Sequence, residues 1–233
     1  MDTRTSILEA AAELLAHSSV ADVSTRAVCE AAGVGAPTLY RHFGDKEGLL
    51  SAVVDYGFDQ YLASKRAAEP SEDPVQDLRN GWDSHVAFAL SHPNYYRLMY
   101  SPAVRTPPAA AFEAHRLLEV VLERCAAAGR LRVSPSVAAQ MVMSANVGVA
   151  LMLVARSETY SPPVSTRVRD AVHAAILTPA TGAPSAPADS AGTAAVAVRL
   201  AALLRSAPLE ALSPAENTLL QEWLARLSDT PNS

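Results

Sequence analysis

The sequence predicts an all-α fold, in which a short N-terminal helix-turn-helix domain precedes a larger helical domain. Apolar residues recur every three or four positions along most of the chain, and no stretch sustains the strict alternation that is typical of a strand. Residues that cap or end helices stand between several of these periodic segments. Hydrophobic residues make up 49% of the 233 residues, which is enough to bury a core in one or two domains.

The first two predicted helices are amphipathic and short. A helix over 4–17 places its apolar residues, Ile7 and Leu15 among them, on one face. Ser24 is a suitable N-cap for a second helix at about 25–32. Gly33 then provides a stop, because glycine readily adopts the left-handed conformation that ends many helices.

A third, shorter helix follows within the segment GVGAPTLYRHFGDKEGLL, residues 33–50. Pro37 falls in its first turn, where the missing N–H costs nothing. Gly44 ends it within about two turns, and Asp45 caps a fourth helix that continues through Leu49 and Leu50. The pattern of two short helices joined by a tight Gly-containing turn predicts a helix-turn-helix.

Longer amphipathic helices fill the rest of the chain after the break at 69–74. Periodicity and prolines predict helices at 74–91, within PNYYRLMYS, and at 108–128, 135–157, 163–177 and 194–206. The Pro/Ala/Gly/Ser-rich segment at about 178–193 predicts a flexible loop. Ser213 and Glu216 form a capping box that begins a last helix.

Charge, cysteine content and the N-terminus limit the class of protein. A net charge of −5 excludes a globally basic protein that coats nucleic acid, but it permits a local basic patch. Cys29 and Cys125 are too few for a secreted disulfide framework, and both are expected to be small buried side chains. Glu9 and Glu13 interrupt any signal-peptide-like segment. A cytoplasmic location follows, with the very apolar window 137–155 read as a helix buried in protein rather than in lipid.

Hydrogen-bond donors are concentrated on the second predicted helix of the turn motif and on the residues around it. The outward face of that helix carries Tyr40 and Arg41, with Thr38 and His42 nearby, and Lys46 begins the next helix. Hydroxyl, imidazole and guanidinium groups bind phosphate oxygens, and arginine also grips guanine with two hydrogen bonds. Each residue alone could be an ordinary surface or core side chain. Their clustering favours a DNA-binding helix-turn-helix.

These residues resemble the DNA-binding domain of the tetracycline-repressor (TetR/AcrR) family. The resemblance rests on a capped second helix after an Ala-rich first one and on a run of short motifs: Ser24-Thr25-Arg26, Gly33-Val34, Pro37-Thr38-Leu39-Tyr40-Arg41-His42-Phe43 and Lys46-Glu47-Gly48-Leu49-Leu50. Gly35 departs from the family pattern, because a serine often caps the recognition helix there. Cys29 stands where a small alanine is common.

The resemblance implies roles for individual residues on double-stranded DNA. Backbone contacts would come from Thr25, Thr38, His42 and Lys46, and a base contact from Arg26. The base or groove-wall contacts would come from Ala36, Pro37, Tyr40 and Arg41. The implied protein is a ligand-responsive transcriptional regulator, a repressor that binds a palindromic operator as a homodimer. Its DNA-binding domain would span 1–50, and its ligand-binding and dimerisation domain 51–233.

Charge counting makes a dimer close to a physical requirement. Residues 1–50 carry four cationic and seven acidic side chains, so one copy should bind DNA weakly, whereas two linked copies double the phosphate contacts. The helix at 135–157, apolar nearly all round and containing Ser144 and Gly148, is the candidate interface, with 163–177 beside it. The alternative is that 135–157 is only a central core helix.

The larger domain concentrates aromatic, histidine and methionine residues that could line a ligand pocket. We expect a small, mostly apolar or aromatic effector, anchored by His85, His115 or Asn146. The alternative for each residue is an ordinary core position. The candidate pocket residues are Trp82, His85, Phe88, Tyr96, Met99, Tyr100, Phe112, His115, Met141 and Asn146.

No enzyme signature stands out in the sequence. HExxH, GxSxG, P-loop and paired-cysteine motifs are all missing, so neither catalysis nor a metal or other cofactor is expected. The main competing interpretation is a helical protein-interaction module that does not bind specific DNA. No membrane partner is expected.

Overall fold

A computed structural model describes residues 2–17, 23–67, 69–100, 109–179, 190–207 and 211–228. The described residues are helical apart from turns and one isolated antiparallel bridge between Leu131 and Leu177, which confirms the all-α prediction. The helices are α1 (Thr3–His17), α2 (Thr25–Ala32), α3 (Ala36–Phe43), α4 (Lys46–Ala67), α5 (Pro74–Ser91), α6 (Pro93–Met99), α7 (Ala109–Ala127), α8 (Pro135–Ala155), α9 (Pro163–Ile176), α10 (Ser190–Ser206) and α11 (Pro214–Ser228).

One predicted boundary is wrong. The loop expected at about 178–193 extends too far, because α10 already begins at Ser190. Composition misled here: Ser190-Ala191-Gly192-Thr193 looks like linker, although Ala191 and the Ala-rich residues that follow are strong helix formers. Residues 180–189 lie outside the described residues.

Capping residues explain where α11 begins and where α7 ends. The amide of Ser213 donates to the Glu216 carboxylate at 2.8 Å and the amide of Glu216 donates back to the Ser213 hydroxyl at 3.3 Å, which is the predicted capping box. Gly129 ends α7 with φ +71°, a conformation that favours glycine. Its amide donates to the Ala126 carbonyl at 2.8 Å.

The chain forms two compact units, and each has its own core. The first contains Met1–Ala68, His85–Ala114 and Ala150–Ser161. Its most deeply buried side chains include Ile7, Leu15, Leu39, Leu49, Phe58, Tyr96 and Leu98. In this unit α4 contacts α1, α3 and α6, so it joins the N-terminal helices to the aromatic residues of α6.

The second unit contains Glu69–Ser84, His115–Val149 and Pro162–Ser233. Its buried side chains include Leu78, Trp82, Leu122, Cys125, Leu131, Ala138 and Ile176. Burial raises the pKa of the Cys125 thiol to about 12, so it stays protonated at neutral pH. Cys29, in the first unit, is buried too.

Among the described residues, α8 alone is long and apolar enough to cross a membrane by length and composition. Its most apolar window is only 39% buried. Five of its exposed positions, Val137, Met141, Ser144, Gly148 and Met152, recur at helical spacing and share one face. An apolar face that contains small residues is equally typical of a helix packed in a protein interface.

Candidate functional site

Local capping sets the first helix of the turn motif in place. The hydroxyl of Ser24 accepts a hydrogen bond from the amide of Ala27 at 3.1 Å, which confirms the predicted N-cap of α2. Gly33 ends α2 with φ +65°, and the Val34 amide donates to the Cys29 carbonyl at 3.0 Å. This left-handed turn changes the direction of the chain, and α3 begins three residues later at Ala36.

The second helix, α3, is held by one deeply buried side chain and is weakly capped. Leu39 is fully buried and anchors the helix. Gly35 occupies the N-cap position and supplies no side-chain hydrogen bond, as its departure from the usual serine predicted. Gly44 ends the helix with φ +78°, and its amide donates to the Tyr40 carbonyl at 2.8 Å.

The opposite face of α3 is open to solvent. Ala36, Pro37 and Arg41 are exposed, and Tyr40 is 44% exposed even though it is a large aromatic residue. Thr38 and His42 are half-buried at the edges of this face. Tyr40 is therefore not a core residue, and we call the side chains of 36–38 and 40–42 the α3 face.

Lys46 is exposed in the first turn of α4, next to this face in sequence. The Asp45 carboxylate accepts a hydrogen bond from the Gly48 amide at 2.8 Å, so Asp45 caps α4 as predicted. Gly48 was missed as a packing residue. A β-carbon at Gly48 would lie 2.1 Å from the carbonyl oxygen of Phe43, so glycine alone permits this close approach of α3 and α4. A glycine inside a helix was the available signal.

Arg26 is exposed on α2, but it is engaged within the protomer. Its Nε donates to Glu30 at 2.9 Å, and both side chains are largely exposed. The sequence contains this i, i+4 pair, which sequence reasoning did not consider. A shallow open groove of about 450 Å³ runs beside it, lined by Thr25, Arg26, Cys29, Glu30, Gly33, Val34 and Ala36. Three of the predicted DNA-contacting residues therefore share one groove between α2 and α3.

The larger predicted site falls into two groups of residues. In the first unit, His85 Nε2 lies 2.8 Å from the Tyr96 hydroxyl, and both side chains are buried. Tyr96 also hydrogen-bonds Tyr100, and the Phe88 and Tyr61 rings are tilted by 34° with their centroids 4.7 Å apart. Burial, together with the nearby Lys65 charge, lowers the pKa of His85 to about 4, so it is neutral at pH 7. Met99 is buried, and Tyr100 is half-buried.

In the second unit, the buried indole of Trp82 is the centre of a polar cluster. Its N–H donates to the Ser165 hydroxyl at 2.9 Å, and its backbone carbonyl accepts from Asn146 Nδ2 at 3.3 Å. The Oδ1 atom of Asn146 and both ring nitrogens of His173 are buried with no partner in the described structure. His173 packs edge-on against the indole at 6.1 Å. Sequence reasoning missed His173 and Ser165, because their helix was assigned to the dimer interface alone.

Three of the predicted pocket residues lie nearer the surface. Phe112 is 64% exposed and Met141 is also exposed, so neither is the wall of an enclosed cavity within one protomer. His115 is half-buried and lies 3.5 Å from the Glu119 carboxylate. The pocket assignment as a whole stays a prediction. Among the described residues, no group of three or more His, Cys, Asp or Glu side chains could hold a metal ion.

Two family descriptions match the chain. Residues 7–53 match "Bacterial regulatory proteins, tetR family" and residues 78–170 match "Tetracyclin repressor-like, C-terminal domain", which together cover more than half of the chain.

Two curated relatives match the chain over short segments. The transcriptional regulatory protein RaaS of Mycobacterium tuberculosis is 47% identical over 53 residues, which is 23% of this chain and 25% of RaaS. The transcriptional regulator UidR of Escherichia coli is 39% identical over 70 residues, which is 30% of this chain and 35% of UidR. The match thus spans about a quarter to a third of these relatives.

Solved structures share the fold over most of the chain at low identity. A tetR-family regulator from Shewanella has a TM-score of 0.59 and 20% identity, over 77% of this chain and all of that one. The fatty acid degradation regulator FadR of Bacillus halodurans has a TM-score of 0.60 and 17% identity, over 75% and 94%. NalD of Pseudomonas aeruginosa, a secondary repressor of an efflux pump, has a TM-score of 0.55 and 17% identity, over 75% and 96%.

Proposed function

Because this chain belongs to the TetR family of bacterial regulatory proteins, we propose that it is a ligand-responsive transcriptional repressor. It binds a palindromic DNA operator as a homodimer, and a small, mostly apolar effector releases it. A cytoplasmic location and the lack of an enzymatic role are part of the same proposal.

The observation that carries the proposal is the α3 face: a two-turn helix anchored by Leu39 that leaves Tyr40 and Arg41 in solvent. Such a helix fits the major groove of B-DNA, which is about 12 Å wide. Arg41 and the groove-facing side chains read bases, while Thr38 and His42 at the edges donate to phosphates. Lys46 adds a charge at the N-terminus of α4, where the backbone amides also favour an anion.

Two copies are needed to make this binding strong. The N-terminal region carries more acidic than cationic side chains, so the affinity of a single copy is low. The exposed face of α8, with Val137 and Met141 beside the small Ser144 and Gly148, supports pairing of two protomers through α8 and α9. Two α3 helices about 34 Å apart would then read two half-sites on one side of the DNA.

The effector site is proposed in the larger domain, around the buried aromatic residues. Apolar rings supply the walls, and the few polar atoms supply orientation. In the second unit, the unpartnered Asn146 Oδ1 could accept a hydrogen bond from an effector hydroxyl or amide, which would offset the cost of burying it. In the first unit, His85 and Tyr96 are buried, neutral and hydrogen-bonded, which suits a neutral ligand better than an ionic one.

The signal to the DNA-binding helices is proposed to pass along α4. This helix contacts α6, which carries Tyr95 and Tyr96, and its N-terminal end contacts α3. An effector that favours a different placement of α6 against α4 would change the spacing of the two α3 helices. A coupling of about 1–3 kcal/mol is typical of allosteric proteins and would correspond to a 5- to 150-fold loss of DNA affinity.

Selection of binding sites from random DNA is the decisive test, and a palindrome with half-sites one turn apart is the expected result. On the selected site, Arg41→Ala with Lys46→Ala should raise the dissociation constant at least tenfold and lower the salt dependence, since phosphate contacts are lost. Thermal melting should stay nearly unchanged. The control, Arg116→Ala with Arg226→Ala, removes the same charge from exposed sites elsewhere. Failure to enrich any sequence, or equal binding by both variants, would instead favour a protein-interaction module.

A further inference from the structure

The C-terminal helices α10 and α11 form a hairpin that lies beyond residue 170, where the family match ends. The two helices are antiparallel, since the last turns of α10 contact the first turns of α11 and earlier residues of α10 contact later ones of α11. Ala201 and Leu204 of α10 pack against Leu224 of α11, with Leu220 beside them. The side-chain Nε2 of Gln221 also donates to the Ala201 carbonyl at 3.4 Å. These contacts define the seam of the hairpin.

A second side of α10 packs on α7. The Arg205 guanidinium lies 2.7 Å from the Glu123 carboxylate, and the Arg199 side chain lies against Gly129 at the end of α7. Val198 and Ala202 are buried on this same side. Both the seam and the α7 contact are therefore occupied within the protomer.

The remaining side of the hairpin is apolar and exposed. On α10 the exposed apolar residues are Val196, Leu200 and Leu203, which are four and then three positions apart. On α11 they are Leu219, Trp223 and Leu227, each four positions apart. Each set therefore forms one stripe along its helix. Each stripe is rotated by about a quarter turn from the seam. Because the helices are antiparallel, these rotations bring the stripes to the same side, away from α7. We call this surface the hairpin face: Val196, Leu200, Leu203, Leu219, Trp223 and Leu227, each more than 40% exposed.

The size of the hairpin face matches what a protein interface needs. Its six side chains expose on the order of 500 Å² of apolar surface, near the upper end for any patch on a monomer. A standard interface takes about 800 Å² from each partner, of which somewhat more than half is apolar. The hairpin face would supply nearly all of that apolar part. Its central, half-exposed tryptophan is also the residue type most enriched among interface anchors.

The charges around the hairpin face favour a protein partner over a lipid surface. Helices that lie on membranes carry a basic polar face. The described residues of the hairpin carry Arg199, Arg205 and Arg226 against Glu216 and Glu222, which is close to balance, and Arg205 is paired with Glu123. Two antiparallel stripes that share one face can also pack on an identical face about a two-fold axis, because such an interface uses the same patch twice.

We propose that the hairpin face is an interface between two copies of this chain, in which α10 and α11 of each copy form a four-helix packing centred on Leu203 and Trp223. It is separate from the pairing through α8 and α9 and does not depend on DNA binding. It either strengthens the same dimer or joins two dimers, and in both cases self-association depends on these side chains.

Sedimentation equilibrium over a range of protein concentrations tests this. Trp223→Glu should raise the dissociation constant of one association step at least tenfold, because a charge would be buried against an apolar partner. The matched control, Ala225→Glu, adds the same charge two residues away at an exposed position off the face. It should leave the mass distribution unchanged. Helix content and melting temperature confirm that both variants are folded.

Cysteine crosslinking keeps the proposal testable if Trp223→Glu unfolds the hairpin. Both native cysteines are buried, so the wild type should give no covalent dimer under mild oxidation. Leu203→Cys or Trp223→Cys should give one, and Ala225→Cys should not. The proposal would be overturned by unchanged self-association of a folded Trp223→Glu variant, or by the lack of a crosslink through both Leu203→Cys and Trp223→Cys. Either result would also overturn it if the hairpin face binds a different protein instead. DNA binding by the wild type would still stand.

Discussion

Gly48 lies against the end of α3, so that a β-carbon at Gly48 would be 2.1 Å from the carbonyl oxygen of Phe43. Real β-carbons do not approach backbone atoms this closely, and a carbonyl oxygen cannot swing aside as a flexible side chain can. Gly48→Ala must therefore push α3 and α4 apart. We expect it to lower the free energy of unfolding by about 1–3 kcal/mol and to weaken DNA binding, because the α3 face shifts. Urea denaturation and fluorescence anisotropy with the selected operator measure the two effects.

Gly35→Ser provides the matched control in the same domain. Gly35 has φ −80° and ψ 152°, which suits serine, and a β-carbon there would meet only Pro37 Cδ at 3.6 Å. The new hydroxyl can cap α3, for which glycine supplies no side-chain bond. The free energy of unfolding of the variant should equal that of the wild type or exceed it by up to a few tenths of a kcal/mol. Equal losses in both variants would mean that the domain resists any substitution, and that the close approach is not the cause.

The N-terminal domain was largely predictable because its geometry is set by local chemistry. Each predicted cap or stop depends only on atoms within a few residues of it in sequence. The structure confirms all four: the N-caps Ser24 and Asp45 and the helix-ending glycines Gly33 and Gly44. Contacts that depend on how two helices cross were not predictable in this way. Gly48 is the clearest case, because its role depends on the position of a backbone carbonyl in the preceding helix.

Because Glu30 forms an ion pair with Arg26, we expect the loss of the Glu30 charge to increase the affinity for DNA. Glu30 holds the guanidinium at 2.9 Å and places a negative charge beside the groove between α2 and α3. An exposed pair of this kind is worth only about 0.2–1 kcal/mol, so DNA can compete for Arg26 at that cost. Glu30→Gln should therefore tighten operator binding several-fold at moderate salt, and the gain should shrink as salt increases. Anisotropy titrations at two salt concentrations provide the measurement.

Glu158→Gln is the control for this change. Glu158 is exposed in the turn after α8, so it changes the net charge by the same amount at a site outside the N-terminal helices. If both variants tighten binding equally, the effect comes from overall charge and not from Arg26. Arg26→Ala should weaken binding in either case, because it removes the proposed base contact.

The buried His85 predicts a fall in stability in mild acid. Burial lowers the pKa of His85 in the folded state to about 4, whereas the unfolded side chain keeps a value near 6.5. Between these values the unfolded state binds the extra proton, so stability decreases as the pH falls from about 6.5 to about 4. The loss from this residue could reach about 3 kcal/mol, and His173, whose pKa burial also lowers to about 4, adds to it.

His85→Gln should flatten the pH dependence in that window, because glutamine does not titrate and can still bond the Tyr96 hydroxyl. Urea unfolding at a series of pH values gives the slope directly. His115→Gln is the control, since His115 is half-exposed beside Glu119. If the slope is the same for His85→Gln and the wild type, His85 is not a buried neutral group.

The candidate effector site was predictable only as a composition. The sequence shows that aromatic and histidine residues are dense between 82 and 118, but it does not show which of them share a neighbourhood. His85 and Tyr96 pair across eleven residues, whereas Phe112 faces solvent, although both sets have similar helical spacing. Trp82 hydrogen-bonds Ser165 and Asn146, which are both more than sixty residues away from it in sequence. No local sequence rule predicts such contacts.

Gly57 and Tyr95 predict that the α4–α6 contact controls both stability and DNA binding. A β-carbon at Gly57 would lie 2.3 Å from Cε1 of the Tyr95 ring, and α6 also carries Tyr96, the partner of His85. Gly57→Ala should therefore displace the ring, cost about 1–3 kcal/mol of stability and change operator affinity. Tyr95→Phe should give no relief, because the clash involves ring carbons that phenylalanine keeps. Tyr95→Ala should make Gly57→Ala nearly harmless when the two are combined, which a double-mutant cycle of unfolding free energies would measure. If the two costs simply add, the contact does not transmit strain between these helices, and the proposed route along α4 loses its support.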